Sequence, residues 1–285
     1  MGNSIQIKHI GLISETKNLS FSELSKTSAA LQKQAMRDFG PIWNIYATVD
    51  AFASLEDVPI DYWPIIVRDD IKFSGAAGIH LDKDGAPFAL VQYSPGWSLT
   101  ASHECLEMLG DPTGDIVRAG QSPNPEQGRV NFLVEVCDPS EAAEFSYQVN
   151  GIVVSDFYTP NYFDPVAAPG VRYSYSGAIR KPREVLKGGY LSWHDPQTDH
   201  WYQETFFSGK KSEFRDLGLL SQKEGSIRTQ IYRLTPEALK AQKVVPKSES
   251  VQKMMLSSAG LAGSAKMEAL RRQIDNLLTL GEPSV

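Results

Sequence analysis

The chain changes texture once, and that change limits the folds open to it. Up to residue 110 apolar residues recur with two periods, one strand-like and one helix-like, whereas from Arg129 onward they fall into short alternating runs separated by Gly, Pro and Asp. Strands repeat every two residues and helices every 3.6, so the first stretch must mix both elements and the second must be mainly sheet. The boundary falls in residues 114–127, rich in Gly, Pro, Asn and Ser. The expected class is therefore α+β. A mixed sheet with helices is expected over residues 1–125, a β-rich half completing a cleft over 126–235, and a polar tail with a short amphipathic helix over 236–285.

Residues 5–13 read as a first strand, and 20–39 carry Leu24, Leu31, Ala35 and Phe39 at helical spacing until Gly40-Pro41, where the helix is expected to end. Residues 43–49 and 62–67 are further strands, and 77–81 and 87–93 flank Asp82-Lys83-Asp84-Gly85 as a hairpin. Ser94-Pro95-Gly96 breaks that pattern, residues 97–109 restore a helical one, and Gly110-Asp111-Pro112 stops it. In the second half, residues 130–136, 148–156, 189–194 and 227–234 read as strands. In the tail Met267, Leu270, Ile274 and Leu277 step by 3, 4 and 3, a seam suited to docking on its own chain or to an oligomer or assembly contact.

A net charge of -6 without a clustered Lys/Arg face speaks against nucleic-acid or anionic-membrane partners, which need a concentrated basic footprint. No apolar run approaches the roughly 18 residues of a membrane span. The first residues lack the basic and apolar regions of a signal peptide, so a cytoplasmic location is the default expectation, with non-classical export left open. Gly2 does not make a myristoylation signal, because the sixth residue is Gln6. Cys105 and Cys137 are too few for a disulfide framework, and Cys105 lies in an apolar helical pattern where a buried thiol is expected.

The helix over 97–109 concentrates the chemistry. Residues four apart on a helix differ by about 40° around the axis, so His103 and Glu107 share one face and can grip one metal ion, while Ala101, Cys105 and Met108 face the core. His103-Glu104-Cys105-Leu106-Glu107 with Gly110 resembles the active helix of the zincin metallopeptidases, whose motif is H-E-x-x-H and whose metzincin branch turns at a Gly seven residues after the first His. The order of strands and helix over about the first 115 residues is similar to the zincin upper subdomain. That resemblance implies a metal-dependent peptidase acting on a peptide or protein, with zinc as the metal and Glu104 as general base. It also implies that the strand preceding the helix is a sheet edge holding the substrate, through Phe88, Leu90 and Tyr93. Glu107 stands where the family has its second His, which makes the donor set harder and opens the site to Mn or Fe.

No motif fixes the third ligand. If Val134 and Val136 point to a core, Glu135 points the other way, and it is placed first, with Asp111 and Asp138 as alternatives. His9 and His80 read as packed strand residues, and His194 and His200, in Asp-rich company, as parts of a turn between strands. Tyr158 and Tyr162 read as an aromatic packing loop, with supply of a phenol to an oxyanion as the sharper option. Two rival functions use the same residues: hydrolysis of a non-peptide amide or ester, and a non-catalytic assembly role on a degenerate zincin scaffold.

Overall fold

A computed structural model describes residues 7–73, 76–83 and 85–235. The α+β class is observed. The seam of Met267, Leu270, Ile274 and Leu277 lies outside the described residues. Among the described residues no helix is long and apolar enough to cross a membrane.

The first half contains β1 (Ile7–Ser14), α1 (Phe21–Lys33), α2 (Gly40–Trp43), β2 (Tyr46–Phe52), β3 (Trp63–Arg68), β4 (Gly78–Lys83), β5 (Ala86–Gln92) and α3 (Trp97–Gly110). Its five strands form one sheet in the order β2-β1-β3-β5-β4, parallel except for β4, which runs antiparallel to β5 at the edge. Ser20 starts α1 with a capping box, accepting from the Glu23 backbone while the Glu23 side chain reaches back. Gly40-Pro41 does not end the helical path as expected. A π-helical stretch, Gln34–Phe39, leads into α2, where Pro41 sits in the first turn and needs no hydrogen-bond donor. The path ends instead at Asn44, in the left-handed conformation at φ 56°.

The second half contains β6 (Val117–Gln121), β7 (Arg129–Leu133), β8 (Tyr147–Val149), β9 (Ile152–Val154), β10 (Tyr190–Asp195), β11 (His200–Thr205), β12 (Glu213–Gly218) and α4 (Ile227–Leu234). Five of these strands make an antiparallel sheet in the order β12-β11-β10-β7-β6. The strand expected over 148–156 is a hairpin of β8 and β9 turning at Asn150 and Gly151, both at positive φ. The strand expected over 130–136 stops at Leu133, which frees residues 134–138 to cross beneath α3.

The strand expected over 227–234 is a helix. Ser226 caps it by accepting from the Thr229 backbone, and Ile227 and Ile231, four apart, share a buried face. Ile227 and Ile231 pack with Leu133 and Trp201 beside the second sheet, while Tyr232 packs with Ile71, Ala76 and Ile79 beside the first. Arg228 is thereby carried between the two.

α3 is enclosed, not merely docked. Every residue from Ala101 to Gly110 is buried, so the His/Glu face expected to open on a cleft is covered as well. One apolar core joins Ile10, Leu12, Ile65 and Val91 of the first sheet to Cys105 and Met108 of α3 and to Phe132, Val136 and Trp193 of the second half. Gly110 allows this closeness, because a Cβ there would stand 3.1 Å from Val136 Cγ1.

Candidate metal centre

Four segments meet at the buried side of α3. The helix supplies His103, Glu104 and Glu107, β4 supplies His80, the stretch after β7 supplies Glu135 and Asp138, and α4 supplies Arg228. His103 Nε2 lies 3.1 Å from Glu107 Oε2, as the shared helical face requires, and 3.3 Å from Asp138 Oδ1. Glu107, Glu135 and Asp138 also bring carboxylate oxygens within 4.8 Å of one another. Zinc holds nitrogen and oxygen donors at about 2.0–2.2 Å, which in a tetrahedron separates neighbouring donors by roughly 3.3–3.6 Å. His103 stands close to that separation from both Glu107 and Asp138, and the groupings around it whose ligand atoms all lie within 4.8 Å are His103 with Glu107 and Cys137, and His103 with Asp138 and Glu141.

Asp138 is the carboxylate of the second half that stands beside His103, while Glu135, placed first, groups with Glu107 and Asp138. Glu135 is buried in the same cluster, but its carboxylate pairs with Arg228. Asp111 is committed elsewhere: its carboxylate accepts from the backbone N–H groups of Gly114, Asp115 and Ile116 at 2.9–3.1 Å. It closes the turn after α3, and burial pushes its carboxyl up to about 6 against those donations.

Glu107 is oriented from two sides. The Cys137 N–H donates to Oε1 at 3.3 Å, and Arg228 Nη2 stands 2.6 Å from Oε2. Burial alone would raise the Glu107 carboxyl, but Arg228 and His103 outweigh it and hold it well below the usual range. Burial likewise works to lower His103, yet Glu107 and Asp138 lift it well above an ordinary imidazole. Asp138 is raised by burial and by the Glu107 charge, against the pull of His103. Both shifts have one origin, a dry cluster with more negative than positive charge, which draws protons when nothing else neutralises it.

The hydrogen-bond inventory makes the same point. His80 Nδ1, His103 Nε2, both oxygens of Glu104, Glu107 Oε2, both oxygens of Glu135 and Asp138 Oδ1 are buried without a hydrogen bond of sound geometry. Arg228 answers the Glu107 and Glu135 carboxylates in part, but buried polar atoms are almost always satisfied, and a bare one costs about 1–3 kcal/mol.

Two members were invisible in the sequence. His80 looked like a packed strand residue, and only the pairing of β4 at the sheet edge turns it toward α3. Arg228 lay in a segment read as strand, although Ser226 and the Ile227/Ile231 spacing carried a helical signal. Gly78 lets β4 pass over Glu104, since a Cβ there would lie 2.6 Å from Glu104 Oε1 and 2.5 Å from Thr100 Cγ2.

The other candidates separate cleanly. Tyr158 is buried with its hydroxyl unpartnered, and burial, then Tyr162 and Glu107, raise it well above an ordinary phenol. Tyr162 donates to the Glu184 carbonyl at 3.2 Å and stacks on Tyr158. His194 pairs with Asp199 and His200 with Asp216, away from α3 on the second sheet, and His9 bonds Thr48 at 2.8 Å. The expectation that Phe88, Leu90 and Tyr93 offer a free strand edge fails. β5 lies between β3 and β4 with both sides paired, the Tyr93 N–H donates to the Arg68 carbonyl, and Leu90 packs against Ile79. The edge beside α3 is β4.

Comparison with models of protein families, with curated proteins and with solved structures finds no match to this chain.

Proposed function

We propose that this chain holds a divalent metal ion through His103, Glu107 and Asp138 and uses it to hydrolyse an amide bond, with Glu104 as general base. The observation behind this reading is the set of buried donor atoms without hydrogen bonds that gathers around His103, with Glu107 and Asp138 3.1 and 3.3 Å from its Nε2. Arg228 is a resident cation, but its one guanidinium pairs with the carboxylates of Glu104, Glu107 and Glu135, and Asp138 lies buried in the same cluster. A divalent ion supplies the charge that remains missing. Zinc suits the spacing, and manganese or ferrous iron suits a donor set with two carboxylates and one imidazole.

Bound there, the metal would polarise a carbonyl and acidify a water. Glu104 follows His103 directly on α3 and keeps both oxygens free of hydrogen bonds, so it is available to take a proton from the attacking water and return it to the leaving amine. Arg228 and the Cys137 N–H keep Glu107 deprotonated and aimed. The edge of β4, unpaired among the described residues, is the place where an extended peptide can add a strand, and a small non-peptide amide or ester would use the same groups.

A second reading, a non-catalytic scaffold, is favoured by the closure of the centre: His103 is 6% exposed and Glu104 and Glu107 are 0% exposed. Elemental analysis before and after chelation, followed by Glu104→Gln, tests both. One zinc per chain, retained in Glu104→Gln while peptide or amide hydrolysis disappears, supports the enzyme. Absence of bound metal overturns the metal centre. A loaded protein whose hydrolysis persists undiminished in Glu104→Gln overturns the role of that carboxylate. A loaded protein with no hydrolysis in either form favours the scaffold.

A further inference from the structure

The centre just proposed leaves His80 without a task, although His80 is 2% exposed and faces directly into it. Its Nε2 lies 3.0 Å from the Asp111 carbonyl oxygen. A carbonyl only accepts, so Nε2 carries the hydrogen and Nδ1 of the neutral ring is a bare lone pair. That lone pair looks onto Glu104 Oε2 at 3.6 Å and Glu107 Oε2 at 3.9 Å. Neither Nδ1 nor those two oxygens make a sound hydrogen bond. Arg228 Nη2 answers the Glu107 oxygen at 2.6 Å but stands 3.7 Å from the Glu104 oxygen, so electron-rich atoms still face one another in a dry interior, and the low dielectric that makes this costly makes a cation among them favourable.

Charge balance leads to the same place. One divalent ion at His103, Glu107 and Asp138, together with Arg228, balances three of the carboxylates of Glu104, Glu107, Glu135 and Asp138, and Glu141 adds further negative charge beside Asp138. The charge left over belongs to Glu104, whose Oε2 is 3.7 Å from Arg228 Nη2, while that guanidinium sits closer to Glu107 and Glu135. The ring of His80 is also prepared in the usual way for a ligand, because metal-binding imidazoles commonly donate their other N–H to a backbone carbonyl that fixes tautomer and tilt. The three ligating atoms lie within 4.8 Å of one another.

We propose that His80 Nδ1, Glu104 and Glu107 form a second divalent-cation position beside the first, sharing Glu107, and that its occupation removes Glu104 from proton transfer. The inhibitory consequence rests on the base role given above to Glu104, whereas the position itself does not. The second ion enters a cluster already partly neutralised, so it binds more weakly than the first. Excess zinc then acts as an inhibitor of the same site that zinc activates.

Titration of the full chain with zinc chloride, followed through the imidazole nitrogen resonances of His80 and His103, tests this. The first equivalent is expected to shift His103 Nε2 and the second, weaker one to shift His80 Nδ1. His80→Gln keeps an amide hydrogen for the Asp111 carbonyl and is expected to weaken the second equivalent by at least about tenfold, the lower end of what losing even a supporting partner costs a metal site. Saturation at one equivalent with the His80 nitrogens unmoved overturns the second position while leaving the first intact. That result comes from the unaltered chain and does not depend on the variant folding. Zinc that moves His80 but not His103 supports the second position and overturns the first. Where hydrolysis is measurable, activity that rises with the first equivalent and falls with the second supports the inhibitory consequence, and activity that stays level through the second overturns it.

Discussion

Two buried polar clusters lie against α3, and they are built on opposite plans. Toward α1, Ser102 donates to Gln34 Oε1 at 2.7 Å and accepts from the Ser155 N–H at 2.9 Å, Gln34 Nε2 donates to the Ser155 carbonyl and to Tyr147, and Tyr147 and Tyr175 both donate to Asp38. Arg37 completes that carboxylate from the half-exposed side. None of the side-chain atoms in this chain of contacts is left bare. On the other face of the same helix His103, Glu104 and Glu107 are largely unsatisfied. A closed network specifies how elements pack, and an open one of equal burial is tolerated for what it binds. The contrast fits a packing role for the first and the proposed metal site for the second.

Removing ligands tests that division most severely. Apparent zinc binding free energies of about 10–16 kcal/mol shared among three or four ligands put each near 3–4 kcal/mol. His103→Ala or Asp138→Ala is therefore expected to weaken zinc on the order of 10²–10³-fold by competition with a chelator, leaving the metal-free melting temperature close to that of the parent. A large loss of stability with zinc affinity unchanged would place His103 and Asp138 in the packing class.

The reciprocal change falls on the closed network. Asp38→Ala strands the two tyrosine hydroxyls and is expected to cost about 3 kcal/mol in denaturant unfolding while one zinc per chain is retained. Loss of zinc without loss of stability would erase the distinction between the two clusters.

Acidity separates them next. In the metal-free centre His103 and Asp138 both hold protons more tightly than usual. Metal must displace those protons, so affinity is expected to rise with pH and to keep rising beyond the ordinary histidine range near 6.5. Calorimetry in buffers of different ionisation enthalpy reads the protons released. Affinity that is flat between about pH 6 and 8 would mean that the ion binds elsewhere. The smallest effect is expected at Ser102→Ala, one residue from His103 but on the network side. It should cost about 1–2 kcal/mol of stability, and zinc affinity should move by no more than about twofold, as for an independent site.

The sequence exposed those parts of the centre that share one element. His103 and Glu107 four apart on a helix needed only helical geometry, and Glu104 came with them. Glu135 and Asp138 were both visible as carboxylates after a strand, but their places relative to His103 and Arg228 required knowing that β7 stops at Leu133 and how α4 docks. His80 and Arg228 escaped because their roles come from how β4 and α4 dock, which local periodicity does not carry. The same limit explains Phe88 and Leu90, whose strand was recognised but whose neighbours were not. Sheet order is set by tertiary pairing, and a strand with polar and apolar alternation reads alike at an edge and beside one.

The placement of Arg228 on α4 also has a kinetic side. The carboxylates come from residues 104–138 and their guanidinium from residue 228, so the cluster closes only through contacts far apart in the chain. Non-local contacts of this kind slow folding, because the entropy of the intervening loop is lost before the contact rewards it. Until α4 arrives, four acidic side chains brought together by the earlier elements repel one another. Folding is therefore expected to contain a late step that millimolar divalent ions accelerate and that raised monovalent salt accelerates less, with stopped-flow refolding as its readout.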